Sequence, residues 1–426
     1  MIKDSKKAII SWSLYDWANS AFATTVMAGF FPVFFKSYWA GELSASDSTF
    51  YLGLINAIGS LIVAALAPFL GAIADRGGSR KKFLIFFAYL GAILTGCLYL
   101  ISQNNWPMAL LFYAISIIGF SGGNIFYDSL LMSVASPKKV DMVSSLGFSL
   151  GYIGGGLLFL VNVLMYKNPE SFGIASGAEA VKLSFLTVGI WWAIFSIPII
   201  LFVKEEKPAS ALGVFKAVGA GWRQLKNTFR ELKYLKVMAL FLLAYWLYID
   251  GVDTIIKMSI DYGTSLGFEA SSLIVALLIV QFVAFPAALL YNLFAKKIGV
   301  KKALIIAIIC YSIITVIGIF MTSVIHFYIL AMCVGLFQGG IQALSRSFFS
   351  RMVPEKMAAE FYGFYNMMGK FGTVIGPLLL GIVTGITHNH RIGMASVLIL
   401  FISGGILLSK VDIKEGERMA KEHLAK

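Results

Sequence analysis

The chain has 426 residues, of which 58% are hydrophobic and only 13% charged, and its mean hydropathy is +0.82. A water-soluble globule of this length needs far more charge on its surface, so the bilayer must be its solvent. The formal net charge of +13 does not call for a nucleic-acid partner, because its distribution along the chain reads as membrane topology.

A membrane helix needs roughly 20 apolar residues. Runs of that kind fall near 9–35, 50–73, 83–102, 108–134, 143–166 and 183–203, then near 237–262, 271–294, 303–323, 327–349, 361–386 and 392–408. The expected fold is therefore all-α, with twelve transmembrane helices in two six-helix bundles. The expected domains are 1–203, a linker at 204–236, a second bundle at 237–408 and a tail at 409–426. Of the 35 Lys and Arg, Lys36, Lys167, Lys182 and Arg391 lie near one face and Lys257, Arg346 and Lys370 within spans, and the rest lie on the side of the termini. Both termini are expected in the cytoplasm. Met1 to Ile9 lacks a short apolar core followed by a small-residue cleavage site, so no cleaved signal peptide is expected.

The first span carries Tyr15, Asp16, Trp17 and Asn19. Asp16 and Asn19, three residues apart, share one helix face, and Tyr15 and Trp17 are placed where a cavity could use them. The loop after the second span reads Gly71-Ala-Ile-Ala-Asp75-Arg76-Gly77-Gly78-Ser79-Arg80-Lys81. This is a tight glycine turn flanked by charges that hold it at the membrane surface. The fourth span carries Gly122-Gly123, Asn124 and Asp128, and the fifth combines five glycines with Tyr152. Within the linker, Phe215, Val218, Trp222, Leu225, Phe229 and Leu232 advance by three and four. They predict an amphipathic helix, either on the inner leaflet or packed under the bundle.

In the seventh span Tyr248 and Asp250 are followed by Asp253 and Lys257, so that the two carboxylates and the amine fall on one face. The tenth span carries Gln342 and Arg346, and the eleventh Asn366 and Lys370, each pair four apart. Landmarks recur between the halves: Gly122-Gly123 with Pro137 against Gly339-Gly340 with Pro354, and Arg76-x-Gly78-x-Arg80-Lys81 against Lys297-x-Gly299-x-Lys301-Lys302. A duplicated membrane bundle places its substrate site between the halves. In the second copy of the loop Asn292 stands at the glycine position and Lys296 at the aspartate.

Charges inside the bilayer persist only with a partner or beside a water-filled cavity. Asp16 is the first candidate proton carrier, with Asp128 or Asp250 second, and Arg346 and Lys370 would hold an anionic group such as a substrate carboxylate. The alternative makes Asp253 with Lys257, and Asp128 with Arg346, locking salt bridges. No G-x-x-x-x-G-K-[ST] loop is present, and the histidines and cysteines form no catalytic constellation, so neither an enzyme nor a cofactor is expected. The expected partners are a small-molecule substrate, protons and membrane lipids, with the chain acting as a monomer in a bacterial inner membrane. A lipid flippase and a non-transporting receptor are the rival readings.

The Gly71 to Lys81 segment fits G-x-x-x-D-[RK]-x-G-x-[RK]-[RK] at every fixed position and resembles the major facilitator superfamily. Tyr15-Asp16-Trp17-Ala18-Asn19, Tyr248-Ile-Asp250-Gly251, Gly340-Ile-Gln342-Ala343-Leu344-Ser345-Arg346 and Gly363-Phe364-Tyr365-Asn366 look like its vacuolar-effluxer-like branch, which includes autophagy-related amino-acid effluxers. The resemblance implies alternating access, a central cavity lined by spans one, four, seven and ten, and amino acids as cargo. It also implies a conformational latch formed by Gly71, Asp75, Arg76, Gly78, Arg80 and Lys81. Asp253 stands where that branch usually has glutamine, and Lys257 is not one of its features.

Overall fold

The computed structural model describes residues 3–205 and 235–425, with the side chains of some helical residues, Lys257 and Lys370 among them, outside the described set. The amphipathic helix expected in the linker lies outside the described residues. Thirteen helices follow one another: α1 (Lys6–Trp39), α2 (Ala45–Gly77), α3 (Arg80–Cys97), α4 (Trp106–Val134), α5 (Val140–Lys167), α6 (Gly177–Phe202), α7 (Lys236–Ser265), α8 (Ala270–Ile298), α9 (Val300–Ile319), α10 (Val324–Ser350), α11 (Ala358–Thr387), α12 (His390–Ser409) and α13 (Ile413–Ala425). No strand occurs among the described residues.

Eleven of the first twelve helices are long and apolar enough to cross a bilayer over their described residues. α11 is the twelfth, a 30-residue helix whose described apolar stretch is Ile375–Thr387. The twelve spans expected from hydropathy all coincide with these helices. α1 is irregular. Wider π-type turns at Phe22–Phe30 and Phe35–Trp39 flank a short α-helical stretch containing Pro32, whose missing N–H interrupts the regular ladder.

Among the described residues two large apolar cores form, beside a small cluster of Met165, Ile174 and Ala180. One is built around Trp12, Phe31, Tyr113 and Trp192, the other around Phe241, Tyr248, Tyr311 and Phe401. Ala359 of α11 belongs to the first core. It can do so because Gly71 presents no side chain there: a Cβ on Gly71 would lie 2.2 Å from the Ala359 carbonyl oxygen. Gly363 repeats the device one turn along α11, where a Cβ would come 2.6 Å from the Ala67 carbonyl oxygen. Small residues let two helices meet backbone to backbone where lipid supplies no hydrophobic drive.

These contacts lie toward the face that carries both chain ends, called here the terminal face. Lys3 pairs with Glu355 at 2.8 Å, and Glu417 of α13 reaches Arg351 at 3.9 Å, which brings the two ends together there. The halves are also tied by Arg351 to Asp141, by the Ser144 hydroxyl to the Ala343 carbonyl at 2.8 Å and by the Ser149 hydroxyl to the Phe285 carbonyl at 2.8 Å. Toward the far face Gly53, Asn56 and Leu61 of α2 line a cavity together with Pro377 of α11.

Candidate functional site: a cavity closed by a buried arginine

The cavity has a volume of about 1140 Å³ and is lined by both halves. From α1 it takes Asp16, Asn19, Ser20, Ala23, Thr24 and Met27, the single stripe produced by a period of 3.6 residues. That geometry separates the site candidates of the first span. Asp16 and Asn19 face the cavity, whereas Tyr15 is fully buried behind it and Trp17 stacks on Trp191 of α6 with ring centroids 5.4 Å apart. Tyr15 and Trp17 were expected to serve the cavity. They sit about 100° to either side of Asp16 and pack instead.

Arg346 of α10 closes the inner end. Its side chain is only 3% exposed, and it reaches across into the first half. Nη1 donates to Asp128 Oδ1 at 3.0 Å and approaches Asp16 Oδ2 at 3.5 Å. Nε and Nη2 donate to the hydroxyl and carbonyl oxygens of Ser144, each at 2.9 Å. Secondary partners hold the carboxylates: Tyr127 donates to Asp16 Oδ2 at 2.7 Å, and Asn366 Nδ2 donates to Asp128 Oδ2 at 3.0 Å. Asn19 donates to Asn124 at 2.7 Å, joining α1 to α4 beside the cluster.

The structure therefore brings Asp16, Asp128, Arg346 and Asn366 into one network, in which Asp16 competes with Asp128 for the same guanidinium nitrogen. Gln342 accepts a hydrogen bond from Tyr152 across the interface between the halves, and Asp253 lines the cavity. Two further candidates do not reach it. Tyr248 is buried against the Ser345 hydroxyl at 2.6 Å. Asp250 is fully buried and accepts the Gly376 N–H at 2.9 Å, just ahead of Pro377. Asp250, expected as a second-rank proton carrier, thus braces α7 against α11 at a proline, where a helix ladder is already interrupted. Lys257 and Lys370 are site candidates whose side chains lie outside the described residues.

Sequence reasoning missed Trp12, Tyr127, Ser144 and Phe148, which enclose the guanidinium. Trp12 lies four residues before Asp16 and Tyr127 directly precedes Asp128, so proximity to a charged residue was the available signal for those two. Uncharged neighbours do not stand out in a chain so rich in aromatics and serines.

The loop between α2 and α3 forms a second site, on the terminal face. Asp75 is buried and accepts Arg80 Nε at 2.6 Å, and its two oxygens also accept the N–H groups of Ala359 at 3.1 Å and Glu360 at 2.9 Å. A carboxylate at the first turn of α11 satisfies donors that no intrahelical carbonyl can reach. Arg80 Nη2 continues to the Glu355 carbonyl at 2.8 Å. Glu205 caps α3 in the same manner, accepting the N–H groups of Arg80 and Lys81 at 2.9 and 3.1 Å, while burial raises its proton affinity. Gly78 takes a left-handed φ of 54° at the end of α2, a conformation glycine adopts without strain. Arg76 is exposed at the surface.

The two halves share one further device. Lys81 Nζ caps the end of α6 at the Val203 carbonyl, 2.8 Å away, and Lys301 Nζ caps the end of α12 at the carbonyls of Ser409 and Val411, each 2.7 Å away. Beside the Lys81 cap, Asp75 of the first half reaches the other bundle, whereas Lys296 stands at the corresponding position of the second half. Asp75→Ala removes both the cap of α11 and the partner of Arg80. Losing a helix cap costs about 0.5–2 kcal/mol, and here that cost falls only on the state with the terminal face closed. Thiol labelling of a single cysteine placed on that face is expected to speed up by about tenfold; an unchanged rate would show that Asp75 does not bias the equilibrium.

The chain matches the family model described as "Vacuole effluxer Atg22 like" over residues 38–139 and 133–421. It is 42% identical over 419 residues to the MFS-type transporter YxiO of Bacillus subtilis (strain 168), covering 96% of each chain. It is 24% identical to autophagy-related protein 22 of Yarrowia lipolytica, covering 82% of this chain and 73% of the relative. Among solved structures it is similar to the human organic anion transporter MFSD10 (TETRAN), with a TM-score of 0.73 at 13% identity, over 95% of this chain and 99% of that one. The relatives are named as transporters, not enzymes. Twelve spans around a cavity between two halves, with the family match running from the end of the first helix to the last, place this chain in the Atg22-like effluxer family of major facilitator transporters, as an integral multi-pass membrane protein.

Proposed function

We propose that this protein is a secondary carrier that moves a small polar metabolite, with amino acids as the favoured class, by proton-coupled alternating access. The observation that carries the reading is the cavity between the halves, open toward one face and ended by Arg346 with Asp16 and Asp128. Among the described residues two carboxylates face one guanidinium, so these three side chains carry one acidic charge more than Arg346 neutralises. That surplus gives a proton a place to bind as the halves separate. The polar links between the halves lie on the terminal face, so the conformation is one in which the cavity faces away from it. The basic residues on the terminal face support a cytoplasmic placement for it in a bacterial inner membrane. Asp16 is the proton carrier, and Asp75 with Arg80 biases the closed terminal face.

The test uses purified protein in proteoliposomes that contain a pH-sensitive dye, with a panel of amino acids and small metabolites added outside. Solute-dependent proton movement is expected, and Asp16→Asn is expected to reduce it by about 100-fold or more while exchange of unlabelled for labelled solute continues. Solute flux without proton movement would overturn the coupling. Absence of flux for every solute would overturn the carrier reading.

A further inference from the structure

Among the described residues, the groups that enclose the Arg346 guanidinium belong to the first half of the protein. Trp12 and Asp16 come from α1, Tyr127 and Asp128 from α4, and Ser144 and Phe148 from α5. The guanidinium carbon lies 4.2 Å from the ring centre of Phe148, 4.9 Å from that of Trp12 and 5.3 Å from that of Tyr127. All three nitrogens meet oxygens within this set. The residue that fills it comes from the second half, on α10.

This is a peg and a socket rather than a single salt bridge. Planar donors directed at carboxylate, hydroxyl and carbonyl oxygens, with the flat face against aromatic rings, is the arrangement that suits a guanidinium and not a spherical ammonium. Aromatic faces add cation–π attraction that strengthens when the cation is desolvated. The socket is also braced independently of its occupant: the Trp12 indole N–H donates to the Tyr127 carbonyl at 2.9 Å, the two rings stack with centroids 4.3 Å apart, and Tyr127 holds Asp16.

We infer that this socket is a binding site for a guanidinium-bearing solute, which Arg346 occupies only while the terminal face is closed. The inference rests on the alternating-access reading above. When the halves part on the terminal face, Arg346 leaves with α10 while the socket remains on α1, α4 and α5, now open to that side. Two carboxylates and aromatic walls are then unfilled, and a solute of the arginine or agmatine class places its guanidinium where Arg346 was. Return of Arg346 expels the solute's head group, so that peg and solute alternate in one site and the cation is released toward the cavity.

The experiment vacates the socket. Arg346→Ala is purified in detergent, and its thermal unfolding is followed as methylguanidinium or agmatine is added, with tetramethylammonium at equal ionic strength as the control. A saturable rise in Tm is expected with the two guanidinium compounds, because a ligand that binds only the folded state stabilises it in proportion to its occupancy. It should be absent with tetramethylammonium and lost when Asp128→Asn is added. Equal shifts with all three cations, no shift, or a shift that survives Asp128→Asn would each overturn the inference. Should Arg346→Ala not fold, wild-type proteoliposomes loaded with labelled arginine supply the readout. Exchange against agmatine but not against tetramethylammonium is expected, and equal or absent exchange overturns the inference. Proton-coupled movement of neutral amino acids without guanidinium binding would sink the socket and leave the carrier standing, and guanidinium binding without any solute flux would do the reverse.

Discussion

Gly71→Ala is expected to hold the terminal face open. The added methyl would lie 2.2 Å from the carbonyl oxygen and 2.5 Å from the carbonyl carbon of Ala359, and 2.7 Å from the Glu360 Cα. All three are backbone atoms, so no rotamer change relieves the contact, and α2 and α11 must move apart. Alanine is the better helix former by about 1 kcal/mol, so α2 itself gains stability and the penalty falls on the contact between the halves. Overpacking costs typically 1–3 kcal/mol, and a backbone clash belongs at the upper end, where it shifts the conformational equilibrium by about 100-fold. Spin labels at the terminal-face ends of α2 and α11 should report a longer distance, and solute access from the terminal face should rise. A distance distribution identical to that of the parent would mean that the helices do not need this glycine to close.

Arg346→Met is expected to be the most destabilising single substitution in the transporter. It keeps the length and apolar contacts of the side chain while leaving Asp16 and Asp128 facing three aromatic rings with no cation. Breaking a buried pair by removing one partner costs about 3–5 kcal/mol. The lower figure applies here, because Asp16 and Asp128 each keep an edge on the cavity, with side-chain exposures of 12% and 10%. Adding Asp16→Asn and Asp128→Asn to Arg346→Met should recover most of the lost stability, since replacing all members of a buried charge cluster is often close to neutral. Thermal melts in one detergent would read both steps. If Arg346→Met melts with the parent, the network is solvated and holds nothing together; if the triple variant stays as low as Arg346→Met, packing and not charge was lost. On the proposed alternating-access reading, transport should be absent in both variants, because neither carries the Arg346 guanidinium.

Much of this protein was legible from its residues. Twelve apolar runs predicted twelve spans, because in lipid a backbone must satisfy its own hydrogen bonds and a run of about 20 apolar residues has almost no alternative to a helix. The charged residues within those runs were equally conspicuous, since each is costly and rare there. Asp16, Asp128 and Arg346 were visible for that reason before any geometry. The Gly71 to Lys81 turn was visible as a motif, and the structure has its Asp75 reaching the Ala359 and Glu360 N–H groups of the other half.

Tertiary structure alone decided who meets whom. Asp250 and Asp16 are both aspartates within apolar helices, yet one accepts a backbone N–H beside Pro377 and the other faces a guanidinium. Tyr15, Asp16 and Trp17 are consecutive, and only the rotation of α1 against α4, α5 and α6 determines which of them sees the cavity. The sequence by itself determined the solvent, the number of spans and the few polar residues that must find partners, because these follow from transfer free energies that act residue by residue. The partners themselves, the socket around Arg346 and the face on which the cavity is closed depend on how two bundles dock. That docking is set by small residues such as Gly71 and Gly363, whose contribution is the absence of a side chain and is felt only by the helix opposite.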